Sequence, residues 1–232
     1  MNKIQLSKRL AKVASYIPDK ARLADIGSDH AYLPIFCVLS GKISYAIASE
    51  IMEGPFEKAL SQVEQNGLNS HIKVRLANGL EAVFLDDEID AITIAGMGGT
   101  LIAEILEHGL QKQRLSSQER LILQPNIGES SVRHWLMNNN YQIAAEAILE
   151  ENDKIYEIIV AQKGIACYSD QELFFGPFLL EEKGEIFHKK WEQELVNRKK
   201  ILSSLKKAMI PNHKKEEDVQ NEITWIEEVL KK

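Results

Sequence analysis

The run Ala24-Asp25-Ile26-Gly27-Ser28-Asp29-His30-Ala31-Tyr32-Leu33-Pro34 constrains the fold of this chain more than any other. An apolar strand stops at a glycine turn and hands over directly to a helix. A second apolar strand follows and is closed by another acidic residue, Glu50. Strand, glycine turn, helix, strand and acid, in that order, outline a nucleoside crevice at the carboxyl edge of a parallel sheet. Gly27 lets backbone approach a ligand, and the acidic strand end can accept both ribose hydroxyls. The dinucleotide fingerprint is incomplete, because a G-x-G-x-x-G reading finds Gly27, Asp29 and Tyr32. An acid at Asp29, where a pyrophosphate would lie, counts against a dianionic ligand. It suits one that carries sulfonium and ammonium charges, such as S-adenosylmethionine.

The rest of the chain repeats the unit. Leu6, Leu10, Val13 and Ala14 share a face, which predicts an amphipathic helix over 3–15. Strands are expected at 23–26, 43–49, 72–77, 89–95 and 120–124, with helices at 32–40, 54–67, 101–110 and 130–139. Pro55 suits the first turn of its helix, and Pro125 is expected to stop the fifth strand. The nearly all-apolar run 89–95 marks a central parallel strand covered on both faces. Residues 141–149 and 154–162 read as an antiparallel hairpin around Glu150-Glu151-Asn152-Asp153. The pattern predicts a doubly wound, Rossmann-like α/β sheet with one reversed strand. Methyltransferases commonly have that arrangement, whereas a dehydrogenase more often continues with another crossover helix.

After Gly164 the character changes. Phe187, Trp191, Leu195, Leu202, Leu205 and Met209 recur at mixed helical spacings within a Lys/Glu-rich run. Ile210-Pro211-Asn212-His213 breaks the run, and Val219, Ile223, Ile226 and Leu230 resume the seam. An antiparallel coiled-coil hairpin is expected. Two domains follow: a Rossmann-like methyltransferase domain over 1–164 and a coiled-coil domain over 165–232.

At 232 residues and 44% hydrophobic, the chain suits one α/β domain with an appendage. No apolar run approaches the roughly 20 residues that span a bilayer. Residues 1–12 are basic and amphipathic without the apolar core of a secretory signal. Cys37 and Cys167 lie far apart, which suits small buried side chains in a reducing compartment. A cytoplasmic protein without membrane or metal partners is expected. The net charge of −6 speaks against a polyanion partner, but the charge is unevenly spread. Residues 1–24 carry six cations against Asp19, a balance of +5, and 188–232 carry 11 against 8, a balance of +3. The body between them holds −14. Basic ends can seat a polyanion through Lys and Arg; solvated helix faces account for the same charges equally well.

Each candidate residue has a bland reading beside its chemical one. Asp25 can hold loop amides or receive a cofactor ammonium. Asp29 can serve the same charge or cap the helix that starts near Tyr32. Glu50 follows Asp25 by 25 positions, close to ribose-binding spacing, or is a surface carboxylate. Asn78-Gly79 lies where an adenine would, or is a plain turn. The run Ala95-Gly96-Met97-Gly98-Gly99 is more specific, because three glycines in four positions make room for a ligand and expose amides at a helix start. Gln124-Pro125-Asn126 ends the adjacent strand with two carboxamides that can read a base edge, with helix capping as the rival for Asn126. His30 reads as a base or a structural loop residue, and Tyr32 as a stacking ring or helix-face packing. Ser28, His30, Ile51 and Met97 are grouped with the expected cofactor contacts. The remaining histidines do not cluster, and no metal site or nucleophile–base arrangement stands out.

Taken together, ADIGSDHAYLP (24–34), AIASEI (46–51), GPFEKA (54–59), DAITIAGMGG (90–99), LILQPN (121–126) and GPFL (176–179) resemble the bacterial tRNA (adenine-22-N1)-methyltransferase family of the TrmK type. The likeness covers essentially the whole chain, and AGMGG and LQPN are its most specific parts. It implies a Rossmann-like catalytic domain, a C-terminal coiled coil, S-adenosylmethionine as donor and tRNA as acceptor. It also implies that Asp25, Gly27, Asp29, Glu50, Asn78, Gly79 and Gly96 line the cofactor crevice.

Neutral adenine N1 carries its own lone pair, so such a reaction requires no strong base. In-line placement is expected to dominate, with Asp29 and Asn126 as acceptors near the base as it gains charge. N1 lies on the Watson–Crick edge, so the adenine must be unpaired or extruded. Tyr32, Gln124, Pro125 and Asn126 are expected at the base. Lys189, Lys190, Arg198 and Lys199, with Lys200, Lys206 and Lys207, are expected at tRNA phosphates. The rivals are a methyltransferase of small molecules or proteins, a non-catalytic nucleoside-binding module, and a nicotinamide dehydrogenase.

Overall fold

The structure, a computed structural model, describes residues 5–207 and 212–231. The expected helix start at residue 3, Met209 of the seam and the Ile210-Pro211 break lie outside the described residues. Strands β1 (Arg22–Ile26), β2 (Tyr45–Glu50), β3 (Ile72–Leu76), β4 (Ala91–Gly98), β5 (Arg120–Ile127), β6 (Tyr141–Glu151) and β7 (Lys154–Lys163) form one sheet. Their order is β3-β2-β1-β4-β5-β7-β6. Neighbours among β1 to β5 pair in parallel, and β7 runs antiparallel to both β5 and β6. The chain winds outward from β1 to β3, then returns to place β4 on the other side of β1. That reversal puts a topological switch point at the carboxyl ends of β1 and β4, where open α/β sheets take ligands.

Period-two alternation assigns residues to the two covered faces. Leu121 and Leu123 of β5 pack with Ile102 and Leu106 of α4 (Gly99–Gln111) and with Val132 and Leu136 of α5 (Glu129–Asn138). Ile122, between them, joins the opposite cluster. There Val13 and Ile17 of α1 (Lys8–Tyr16) and its exit meet Leu33 and Ile35 of α2 (Tyr32–Leu39) and Val63 of α3 (Glu53–Gln65). Burial on both faces explains why β4 begins with four consecutive buried residues, Ala91 to Ile94.

Several boundaries differ from expectation for local reasons. Helix α1 starts at Lys8 because Ser7 caps it, its hydroxyl accepting from the Leu10 amide at 3.2 Å. Strand β4 runs through Gly96 to Gly98, and β5 continues past Pro125 to Ile127. Their register shifts between Ala95 and Met97, and Pro125 pairs opposite Met97 at that irregularity, where a missing N–H is tolerated. The β6–β7 hairpin closes on two residues only, Asn152 and Asp153, with φ of 51° and 60°, the conformation favoured by tight hairpin turns.

One buried charge cluster had no sequence signal. Arg133 of α5 is fully buried, donates from Nε to Glu146 of β6 at 2.7 Å, and bonds Glu157 of β7 through Nη2. The short helix α6 (Asp170–Phe175), opened by a Ser169–Glu172 capping box, brings the Phe174 carbonyl to the same guanidinium.

The chain divides into two compact units, the first running to Pro177 and the second starting at Phe178. The first contains the sheet and α6. The second contains most of α7 (Pro177–Glu182), then α8 (Glu185–Lys206) and α9 (His213–Leu230). Helices α8 and α9 pack on one another, and α9 buries Val219, Ile223, Ile226 and Val229. The last buried position is thus Val229, one residue before the expected Leu230.

Candidate active site

Strand β1 delivers Asp25 to the switch point, and the chain then turns at Gly27, whose φ is 67°. The amides of Gly27 and Ser28 both donate to the Ser49 carbonyl, at 2.9 and 3.0 Å, which ties the turn to the end of β2. Asp29, His30 and Ala31 then adopt φ of 44°, 67° and 59°. Three consecutive non-glycine residues in the left-handed region are strained, and such strain persists only where the surroundings impose it.

Two carboxylates stand under this turn. Asp25 is 4% exposed and accepts from the Ser28 hydroxyl at 2.5 Å and the Thr93 hydroxyl at 2.6 Å. Burial pushes its pKa up to about 6, opposed by those two hydroxyls and assisted by the charges of Glu50 and Asp29. Glu50 is 7% exposed, and burial likewise lifts it above the usual carboxylate range, while the Asp29 and His30 amides oppose the rise. Its Oε1 is buried without a hydrogen-bond partner. Buried polar atoms are nearly always satisfied, so this oxygen has room for a donor that the protein does not supply.

Around Glu50 the surface turns apolar and open. Ile51 and Met52 are 61% and 64% exposed. The Ala77 amide bonds the Glu50 carbonyl at 2.8 Å, which brings Asn78 and Gly79 alongside. Gly79 has φ of 55° and starts a short 3-10 turn. Tyr32 is partly exposed, its ring edge-on to His30 at 5.6 Å.

The other wall comes from β4 and β5. Met97 lies over the Gly27 turn, its Cε 2.2 Å from where a Cβ on Gly27 would stand. Gly99 touches the β5–α5 turn so closely that an added Cβ would sit 1.9 Å from the Gly128 carbonyl. Gln124 is fully buried. Its Oε1 accepts from the Gly96 amide at 3.0 Å and from Arg9 Nη1, and its Nε2 donates to the Pro125 carbonyl at 2.7 Å and to Asn126 Oδ1 at 3.2 Å. Asn126, itself exposed, donates from Nδ2 to the Gly96 carbonyl at 2.7 Å.

The structure therefore brings Asp25, Gly27, Ser28, Asp29, His30 and Glu50 to one strand edge, with Asn78 and Gly79 tied to it. Gly96, Met97, Gln124, Pro125 and Asn126 stand on the neighbouring strands. Thr93 and Arg9 were missed. Thr93 is the lone polar residue within the apolar run 91–95, and a buried hydroxyl there needs a partner, so a signal existed. Arg9 gave none. Lys189, Lys190, Arg198 and Lys199 belong to the second unit. Within it, Arg198 pairs with Glu222 at 3.2 Å, and Lys199 Nζ pairs with Glu227 at 2.6 Å. Among the described residues, no group of three or more His, Cys, Asp or Glu is placed to hold a metal, and no helix is long and apolar enough to cross a membrane.

A sheet in this order with one reversed strand, glycine turns after β1 and β4, and acids at the ends of β1 and β2 define a Rossmann-like methyltransferase. Comparison with known proteins narrows the class. Residues 23–228 match the family TrmK, tRNA (adenine(22)-N(1))-methyltransferase. A Bacillus subtilis (strain 168) protein of that name is 50% identical over 99% of each chain. The crystal structure of the B. subtilis M1A22 tRNA methyltransferase TrmK superposes with a TM-score of 0.91 at 47% identity, covering 98% of this chain and 99% of that one. A Streptococcus pneumoniae relative in complex with S-adenosyl-L-methionine has a TM-score of 0.89 at 46% identity, covering 97% of this chain and all of the other. The chain belongs to the tRNA (adenine(22)-N(1))-methyltransferase family, which decides against the dehydrogenase, the small-molecule and protein methyltransferases and the non-catalytic module.

Proposed function

We propose that this chain seats S-adenosylmethionine over the Gly27 turn and methylates N1 of adenine 22 in tRNA. The observation that carries the reading is Glu50, whose buried, partnerless Oε1 at the end of β2 suits a ribose hydroxyl. Ile51 and Met52 offer apolar surface for the adenine ring, with Asn78 and Gly79 at its edge. Asp25 acts from beneath, its oxygens fixing Ser28 and hence the turn. When bound, the donor supplies a methyl group on positively charged sulfur. The N1 lone pair takes that carbon while the C–S bond breaks, so no residue has to remove a proton first. Well-oriented placement of this kind lowers a barrier by roughly 7–11 kcal/mol.

The positive charge that reaches the base falls to Asp29 and Asn126. The Asp29 side chain is 87% exposed, so water screens it until RNA covers the site. Tyr32, Gln124 and Pro125 complete the surface that meets the extruded base. Lys189, Lys190, Arg198 and Lys199, with Lys200, Lys206 and Lys207, contact tRNA phosphates. A tRNA substrate supports a cytoplasmic enzyme. The test is to map methylated adenines in bulk tRNA before and after treatment with purified protein and donor. New 1-methyladenosine at position 22 is expected; methylation elsewhere, or none, overturns the reading.

A further inference from the structure

We propose that Arg9 is a positioning residue for methyl transfer, acting through the Gln124 carboxamide to fix which way Asn126 presents its oxygen. The proposal rests on the reading above that Asn126 faces the target adenine. Arg9 lies more than a hundred residues from either amide in sequence, yet three separate contacts hold it in place. Glu151, at the tip of the β6–β7 hairpin, accepts from the Lys8 and Arg9 amides at 2.6 and 3.2 Å, which seats the first turn of α1. The guanidinium lies over the Tyr156 ring, 5.4 Å from its centroid. Its Nη1 then donates to Gln124 Oε1.

A guanidinium can donate and cannot accept, whereas a primary amide presents a donor at one end and an acceptor at the other. Arg9 and the Gly96 amide both donate to the same oxygen of Gln124. Turning that carboxamide over would set its NH2 against two donors, so the pair fixes its sense. The Gln124 NH2 is thereby committed to the Pro125 carbonyl and to Asn126 Oδ1. Asn126 follows, its NH2 on the Gly96 carbonyl and its oxygen turned the other way with a second lone pair still to give. As N1 gains a methyl group, charge spreads to the exocyclic amine of the adenine, whose hydrogens then bond an acceptor more strongly. An Asn126 turned over would offer them a donor instead. Gly96 is required here by its backbone, whose φ of 81° favours glycine, while a Cβ would make only an ordinary 3.5 Å contact with Nη1.

The test is a kinetic cycle of Arg9→Met, Asn126→Ala and the double variant, with Arg9→Lys beside them. Melting temperature and donor affinity are measured for each. Arg9→Met is expected to lower kcat on the order of tenfold, as small misplacements do. KM for tRNA and donor affinity should stay within about twofold. Arg9→Lys should recover most of kcat, since an ammonium also donates to Oε1. In the Asn126→Ala background Arg9→Met should change nothing further. Independent, additive losses overturn the proposal. So does a loss confined to KM for tRNA with a shallower salt dependence, which marks a phosphate contact. If Asn126→Ala alone leaves turnover intact, the base-facing role of Asn126 fails first and takes this proposal with it. Should Arg9→Met fail to fold, Gln124→Glu carries the test, because it keeps the acceptor for Arg9 and removes the donor to Asn126. A kcat loss like that of Asn126→Ala supports the relay, and normal turnover overturns it.

Discussion

Asp25 and Glu50 are both strand-end carboxylates lifted by burial, yet their environments differ. Both oxygens of Asp25 are taken by protein hydroxyls, while one oxygen of Glu50 has none. The Asp25 pKa of about 6 lies above its unfolded value near 3.8, so the native state holds its proton longer. Its contribution is fully present below the lower value and is lost as pH rises through the upper one, about 3 kcal/mol in all. Asp25→Asn is therefore expected to melt higher than the parent at pH 8, with the gap closing near pH 4; equal melting at both pH values would refute the assignment. Glu50→Gln removes the charge but keeps the shape, and donor affinity by calorimetry should fall on the order of 10- to 100-fold. Both residues were legible from their spacing and from the glycine between them. Thr93 shows in the sequence only as a polar break in an apolar strand with no partner indicated, and Arg9 depends on which strand edge α1 covers.

At the level of elements, two turns are held together by the absence of side chains. Gly99, at the start of α4, and the Gly128 carbonyl approach so closely that any Cβ forces backbone apart. Gly99→Ala is predicted to cost about 1–3 kcal/mol of stability and to depress turnover as well, since the shift displaces both Gly96 and Asn126. Denaturant melts and single-turnover rates decide; an alanine variant with parental behaviour in both would show that the two turns are not coupled. The three-glycine run was legible as a place of close approach, but its target was not, because a loop 29 residues further on supplies the contact. The ends of β4 and β5 were misjudged for a related reason. Proline reads as a terminator by local rules, and only the shifted register opposite Met97 relieves it.

The whole molecule carries its charge as an acidic middle and basic ends, and the tail's cations are already partly engaged. Arg198 and Lys199 face Glu222 and Glu227 across the α8–α9 pair, so phosphate contact has to displace carboxylates. Replacing both acids, Glu222→Gln with Glu227→Gln, should tighten tRNA binding and steepen its salt dependence. Unchanged affinity and slope would mean that these two cations hold the helix pair and nothing else. Composition marked two long helices after Gly164 but not the six-residue helices α6 and α7, which are too short to show a period. The interhelical ion pairs were equally hidden, since they depend on the register of one helix against the other.

The turn at residues 29–31 is bent into a shape that ordinary side chains avoid, and its amides lean on the same carboxylate that leaves one oxygen unclaimed. Sugar occupancy and loop order thus share an anchor. Adenosine, with no sulfur and no methyl to give, should slow hydrogen exchange at Asp29 to Ala31 much as the complete donor does, and 2′,3′-dideoxyadenosine should leave it fast.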